Sequence, residues 1–152
     1  MVSVLTQREE REDKTMTKTR KQVVYLDMDG TIADLYGQAD WLKGLREEKK
    51  GLFIGCKPLT TERVIRAYFP TDKYDVRICS MTPMDASDEY CKTVIAEKNA
   101  WLDEYFPSIT HRVFMKYGHN KNLKNCEHHI LVDDSDKVRE TFKGLALYPM
   151  WL

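Results

Sequence analysis

The chain has 152 residues, and its 24 lysines and arginines balance its 24 aspartates and glutamates, so its formal net charge is zero. This length predicts one domain with a sizeable hydrophobic core. The balanced charge argues against a global attraction to nucleic acid or to an anionic membrane. No apolar run approaches membrane-spanning length and no signal-peptide core opens the chain, so we expect a cytoplasmic protein without membrane partners.

The first 21 residues are polar and of mixed charge, which predicts a flexible tail ahead of a catalytic domain at 22–152. Met16 offers an alternative start codon within this tail. The four cysteines form no CxxC pair, which favours reduced thiols in a cytosolic protein. Cys126 lies near His128 and His129, but this spacing matches no zinc pattern, and we do not expect a zinc site.

The first predicted element is a buried strand, Gln22–Leu26, which ends in two acids. Side chains two residues apart on an extended chain point the same way, so Asp27 and Asp29 are expected to converge just past the strand. Converging carboxylates repel each other unless a cation lies between them, and hard oxygen ligands suit Mg²⁺. Gly30 permits a sharp turn, and Thr31 can donate a hydrogen bond inside it.

Two other interpretations of this acidic motif are weaker. An Asp-Gly pair also marks ordinary surface turns that bind nothing, although two carboxylates that end an apolar strand are electrostatically costly. A calcium loop also begins with spaced aspartates, but Thr31 and Ile32 follow the glycine and no glutamate stands at the twelfth position.

Residues 34–58 are expected to form a small lid over the acidic turn. Trp41, Leu42 and Leu45 have helical spacing, and Gly51 is placed to end that helix. Trp41 is either part of the core of the lid or a stacking platform for a base or ring of the substrate.

The next elements are a helix and a second strand. Thr60 or Thr61 is expected to cap a helix that runs to Phe69. The strand Tyr74–Cys79 then ends in small polar residues, led by Ser80. A hydroxyl at a strand end, beside free backbone N–H groups such as that of Met81, is suited to contact phosphate oxygens.

The longest helical pattern covers Asp85–Phe106. Its predicted buried face consists of apolar residues, namely Cys91, Val94, Ile95, Leu102 and Tyr105. Lys98 lies near that face, and either snorkels to solvent or extends toward the acidic turn. A third strand at His111–Met115 leads to a polar loop that contains Lys116 and Lys121.

A further apolar strand, His129–Val132, ends in Asp133 and Asp134, which repeats the pattern of the first strand. A short helix, Lys137–Lys143, and an edge strand, Leu145–Tyr148, complete the chain. Strands separated by helices predict an α/β fold: a Rossmann-like three-layer sandwich with a mostly parallel sheet and a small cap insert after the first strand. Right-handed crossovers bring the acidic strand ends to one edge.

The order of these motifs resembles that of the haloacid dehalogenase superfamily of phosphohydrolases. Asp27–Thr31 is similar to its first motif and Ser80 to its second. Lys121 is most similar to the third, with Lys98 and Lys116 as rivals, and the pair Asp133-Asp134 to the fourth. The short chain and small insert most resemble the 5′(3′)-deoxyribonucleotidase-like proteins of bacteria and phages.

This resemblance implies a Mg²⁺-dependent phosphatase that acts on small phosphomonoesters, foremost nucleotides. Asp27 would be the nucleophile that forms an aspartyl-phosphate, and Asp29 the general acid and base. The phosphate would be bound by Thr31, Ser80, Met81 and Lys121. The Mg²⁺ ligands would come from Asp27, the backbone carbonyl of Asp29, and Asp133 or Asp134.

Two alternative functions remain open from the sequence. A protein with this fold and acid set can also bind and sequester a nucleotide or phosphate ligand without turning it over. A phosphatase that acts on a nucleic-acid end is the other alternative, and the zero net charge counts against it.

Overall fold

The computed structural model describes residues 20–152; most of the predicted tail therefore lies outside the described residues. We number the strands and the α-helices in chain order. The elements are β1 (Gln22–Leu26), β2 (Ala33–Asp34), α1 (Trp41–Arg46), β3 (Lys57–Pro58), α2 (Glu62–Tyr68), β4 (Tyr74–Met81), α3 (Asp88–Tyr105), β5 (Arg112–Met115), a 3-10 turn (Cys126–His128), β6 (Ile130–Val132), α4 (Asp136–Thr141) and β7 (Leu145–Leu147).

Five of these strands form one parallel sheet in the order β5-β4-β1-β6-β7. β1 lies at its centre, where Leu26 pairs with Ile78 of β4 on one side and with Val132 of β6 on the other. β4 and β5 lie on one side of β1, and β6 and β7, which come later in the chain, lie on the other. This arrangement confirms the predicted α/β fold with a mostly parallel, Rossmann-like sheet.

Successive side chains of β1 point to opposite faces of the sheet, and each face carries its own core. Val24 and Leu26 belong to a large cluster with side chains of α2 and α3. Val23 and Tyr25 belong to a smaller cluster against which α4 packs. Helices therefore cover both faces, which gives the three layers that the alternation of strands and helices predicts.

Three helices begin at a hydroxyl side chain that accepts a backbone N–H bond, as helix N-caps commonly do. Thr61 accepts from Val64 at the start of α2, which decides between the two threonines considered as the cap. Ser87 and Ser135 do the same for α3 and α4. These local bonds fix the chain direction as each helix leaves the sheet.

The buried face of α3 differs from the predicted one. Cys91, Ile95 and Tyr105 are only partly buried. The residues that face the core are Tyr90, Val94, Lys98, Trp101 and Leu102. Val94 and Leu102 are buried as predicted. The prediction missed Lys98 because it counted only apolar residues, and it also missed the aromatic side chains of Tyr90 and Trp101 on the same face.

Two further details were not predicted. β4 continues through Ser80 and Met81, so that these residues end the strand rather than follow it. The short strands β2 and β3 pair antiparallel, with Ala33 opposite Pro58. The insert between β2 and β3 therefore begins and ends at two adjacent, paired strands. Among the described residues, no helix has both the length and the apolar character needed to cross a membrane.

Candidate active site

The acidic residues meet at one edge of the sheet because β4, β1 and β6 are neighbours and run parallel. Asp27 and Asp29 follow β1, Ser80 lies near the end of β4, and Asp133 and Asp134 follow β6. The carboxyl ends of parallel strands are where α/β folds place ligands. These side chains therefore lie together at the carboxyl edge of the sheet, as predicted.

The turn after β1 is tightly hydrogen-bonded. The Met28 carbonyl accepts bonds from the N–H groups of Thr31, Ile32 and Ala33 at 2.9 to 3.0 Å. Gly30 has φ +79°, and a Cβ there would lie 2.3 Å from Asp134 Oδ2. Glycine is therefore required both by the backbone and by the close approach of the acid from β6.

Three carboxylates form a compact group at the centre of the site. Asp27, Asp133 and Asp134 each offer an oxygen, and these oxygens lie within 4.8 Å of one another. The ammonium of Lys121 donates to Asp27 Oδ1 and to Asp133 Oδ2, both at 2.8 Å. Lys121 is only 2% exposed, so these ion pairs lie away from bulk water, where charge interactions are stronger.

Thr31 links the two acidic strand ends. Its fully buried hydroxyl lies 3.2 Å from Asp27 Oδ2 and 3.0 Å from Asp134 Oδ1, and it accepts the Asp134 N–H at 3.1 Å. In this arrangement the hydroxyl contacts carboxylates, as a donor inside the turn. The phosphate contact suggested by the resemblance stays a prediction.

Lys98 extends from α3 into the same site. Its ammonium donates to Asp29 Oδ2 at 2.9 Å, to Ser80 Oγ at 2.8 Å and to the Met81 carbonyl at 2.9 Å. Of the two behaviours considered for this lysine, snorkelling is excluded. Lys116, the third candidate, is exposed and pairs with Asp88 at 3.6 Å.

The pKa values of the acids reflect burial and mutual repulsion. Burial raises the pKa of Asp134 to about 7, and the neighbouring Asp27 adds to the shift. Burial also raises the pKa of Asp133 to about 6, again with Asp27 contributing, while Lys121 opposes the shift. For Asp29, burial raises the pKa against the lowering effect of Lys98. At Asp29 and Asp133, burial therefore outweighs the lowering effect of the neighbouring lysines on the pKa.

A pocket of about 550 Å³ opens above this group. The insert between β2 and β3 contributes aromatic side chains to it: Tyr36, Trp41 and Phe53. Tyr36 and Trp41 contact each other edge to face, with ring centroids 4.8 Å apart. The opposite wall is more polar and includes Tyr117, His119, Asn120 and Lys137.

Sequence reasoning identified Trp41 but missed Tyr36 and Phe53 as pocket residues. Both lie in the insert at positions without a clear helical period, and only their aromatic character could have marked them. Trp41 was considered either as core of the lid or as a stacking platform. It packs against the hydrophobic core and also lines the pocket, so its position is compatible with both. Met81 lines the pocket as well, beside Thr82.

Within residues 20–152, the three aspartates are the group of acidic, histidine and cysteine side chains placed to share a cation. Cys126, His128 and His129 form no such group in that part of the chain. The carboxylate of Asp29 is not part of this group, and its Oδ2 accepts a bond from Lys98. A metal contact from the backbone carbonyl of Asp29 stays a prediction.

Comparison with known proteins finds a relative in a bacteriophage. The chain is 29% identical over 129 residues to a protein of Vibrio phage KVP40 that carries the name "Putative 5'(3')-deoxyribonucleotidase". The match covers 79% of this chain and 70% of the phage protein. No protein-family model and no solved structure gives a significant match.

Proposed function

We propose that this protein is a Mg²⁺-dependent phosphatase of small phosphomonoesters, foremost nucleotides, and that it works through an aspartyl-phosphate, as the haloacid dehalogenase superfamily does. The observation that carries the proposal is the position of Asp27. It lines the pocket, and the ammonium of Lys121 bridges its carboxylate and that of Asp133. Oxygens of Asp27, Asp133 and Asp134 lie within 4.8 Å of one another. Asp27 is thus a carboxylate nucleophile with one cation, Lys121, in contact with it and two further acids beside it that can share a metal ion.

The donor set fits a divalent cation. Four carboxylates (Asp27, Asp29, Asp133 and Asp134) face two ammonium groups (Lys98 and Lys121), which leaves two negative charges unbalanced when all are ionised. Oxygen donors of this kind are those that Mg²⁺ prefers. Asp27, Asp133 and Asp134 would hold the ion. It would supply a positive charge that shields the phosphoryl oxygens from the nucleophile.

The residues then perform two displacements. A carboxylate oxygen of Asp27 attacks the phosphorus while the ester P–O bond breaks, and Asp29 gives its proton to the leaving oxygen. Water next attacks the phosphorus of the aspartyl-phosphate and gives a proton to Asp29. The bond between the Asp27 oxygen and phosphorus breaks, which regenerates the Asp27 carboxylate and releases inorganic phosphate. Lys121 and the Ser80 hydroxyl stabilise the charge on the phosphoryl oxygens throughout.

The proposed substrate class rests on the pocket and on the phage relative. Tyr36 and Trp41 offer aromatic surfaces against which a nucleobase can pack, and the buried Phe53 adds an apolar contact to the same pocket. The name of the phage protein refers to deoxyribonucleotides. We also propose that residues 34–58 form the lid of one catalytic domain that spans 22–152.

A hydrolysis assay tests this function. The protein is incubated with deoxynucleoside and ribonucleoside monophosphates, sugar phosphates and p-nitrophenyl phosphate, in Mg²⁺ or in EDTA. We expect phosphate release that requires Mg²⁺ and is abolished in Asp27→Asn. Asp72→Asn is the matched control, because Asp72 is exposed and does not line the pocket.

Other outcomes of this assay discriminate among functions. If no compound is hydrolysed and intact nucleotide is recovered from a tight complex, the protein is a sequestering protein and not an enzyme of this class. A phosphorylated DNA oligonucleotide is added to the panel, and release of phosphate from it alone would instead indicate a nucleic-acid-end phosphatase. Either result would refute the proposed function.

A further inference from the structure

Lys98 is a buried cation that the proposed reaction steps do not use. It is 1% exposed, although lysine is rarely so fully buried unless it is paired. Its ammonium has three N–H groups, and three acceptors lie within 2.9 Å: Asp29 Oδ2, Ser80 Oγ and the Met81 carbonyl. Every proton of the ammonium therefore has a partner in the site.

These bonds constrain two residues, Ser80 and Asp29, that have roles in the proposed reaction. Because an ammonium group only donates, Ser80 Oγ must accept from Lys98. The hydroxyl proton of Ser80 then remains free to donate, and no acceptor for it exists among residues 20–152. Lys98 thus leaves the Ser80 hydroxyl available as a donor at the end of β4, next to Met81, which lines the pocket. A donor of this kind is what a phosphoryl oxygen requires.

The same ammonium restrains the proposed acid. Asp29 Oδ2 accepts from Lys98, whereas Asp29 Oδ1 is buried and has no hydrogen-bond partner. Fixing one oxygen in this way limits rotation of the carboxyl group about its terminal torsion, which is otherwise broad. A proton donor with a restricted orientation transfers its proton more efficiently than a mobile one.

The insert encloses this cation. The Phe53 ring centroid lies 4.9 Å from Lys98 Nζ, within the range of a cation–π contact. Glu97, the neighbour of Lys98 on α3, accepts the N–H groups of Gly51, Phe53 and Ile54 at 3.0 to 3.2 Å. One turn of α3 therefore fixes both the insert and the acid.

We propose, on the basis of the phosphatase function above, that Lys98 is a positioning residue. It orients Asp29 for proton transfer to the leaving oxygen and orients the Ser80 hydroxyl toward the phosphoryl group. It needs no contact with substrate for either effect. The role is separate from that of Lys121, which contacts the nucleophile itself.

The test compares leaving groups. Hydrolysis of a nucleoside monophosphate expels the nucleoside as a poorly stabilised alkoxide that needs a proton from Asp29, whereas p-nitrophenolate leaves with little need of one. We expect Lys98→Met to lower kcat/KM about 100-fold or more for a deoxynucleoside monophosphate. The loss for p-nitrophenyl phosphate should be about tenfold smaller than that. Lys92→Met, an exposed change on the same helix, should leave both rates unchanged.

Failure of the positioning role can be distinguished from failure of the phosphatase function. Equal losses for both substrates, or no loss, in a folded Lys98→Met variant would overturn the positioning role and leave the phosphatase function standing. A wild-type protein inactive on every phosphomonoester would overturn the phosphatase function itself. If Lys98→Met does not fold, Lys98→Arg retains the charge and should show the same leaving-group dependence with a smaller loss. A uniform loss there would equally refute the proposal.

Discussion

Asp133 and Asp134 are adjacent in the sequence, yet they have different partners. Asp133 accepts bonds from Lys121 and from the Ser135 N–H, so its charge is compensated within the protein. Asp134 contacts the Thr31 hydroxyl and lies close to Asp27, a like charge. We therefore propose that Asp134, of the two, depends more on an added cation; the sequence alone left this choice undecided.

We therefore expect Asp134→Asn to raise the Mg²⁺ concentration needed for half-maximal activity by about tenfold or more, because one charged ligand is lost. Without Mg²⁺ the variant should unfold at a higher temperature than the wild type, because the repulsion from Asp27 is removed. Mg²⁺ titrations of activity and thermal unfolding in EDTA measure the two effects. Asp136→Asn is the control, since Asp136 is exposed. An unchanged Mg²⁺ titration in Asp134→Asn would exclude this residue as a ligand.

At the scale of elements, α3 is the main anchor of the insert. Tyr90 donates to the Lys49 carbonyl at 2.7 Å and Trp101 donates to the Cys56 carbonyl at 2.8 Å. Glu97 adds its three N–H contacts between these two bonds. The inner side of the insert is therefore bonded to a long helix along its length, which favours a fixed pocket wall over a freely opening flap.

Glu97→Gln tests this anchor. The substituted amide replaces one acceptor oxygen with a donor that faces backbone N–H groups. We expect the free energy of unfolding to fall by about 1–3 kcal/mol. Amides 51, 53 and 54 should also exchange hydrogen faster. Urea unfolding and hydrogen exchange measure these changes, with the exposed Glu104→Gln of the same helix as control. Equal amide protection in both variants would show that Glu97 does not hold the insert.

The elements themselves were largely predictable, because alternation, caps and helix breakers are local signals. The bounds of α2 agree with those predicted, from the Thr61 cap to the residue before Phe69. The prediction that Gly51 ends α1 was wrong, because this helix already ends at Arg46 and a turn follows it. The order in which the strands pair depends on long-range contacts, so local signals predicted only that the sheet is mostly parallel. The partners of Lys98 were not predictable, because they come from β1 and β4, which are far away in the sequence. The same holds for Trp151, whose indole donates to the Thr31 carbonyl at 2.8 Å and so braces the acidic turn from the far end of the chain.

For the whole molecule, the unbalanced acids affect stability. The pKa of Asp134 is raised to about 7 and that of Asp133 to about 6, whereas aspartates in an unfolded chain titrate at about 4. Between these values the folded state binds more protons than the unfolded state. Stability therefore falls as the pH rises through this window.

In EDTA, we accordingly expect the wild-type protein to melt at a lower temperature at pH 7.5 than at pH 5. Added Mg²⁺ should raise the melting temperature at pH 7.5 more than at pH 5, because the ion binds ionised carboxylates in the folded state. Differential scanning fluorimetry over this range measures both effects. In Asp134→Asn, the melting temperature in EDTA should fall less steeply with rising pH than in the wild type. A melting temperature that rises with pH in EDTA would contradict the charge imbalance.

The central claim is that Asp27 carries the phosphoryl group during turnover. The most direct measurement is acid quenching of the Mg²⁺-loaded protein during turnover, followed by borohydride reduction of any acyl phosphate and peptide mass spectrometry. The account predicts reduction of residue 27 to homoserine, dependent on substrate and absent from Asp27→Asn. Turnover with no modification of residue 27, or with modification of another carboxylate, would contradict it.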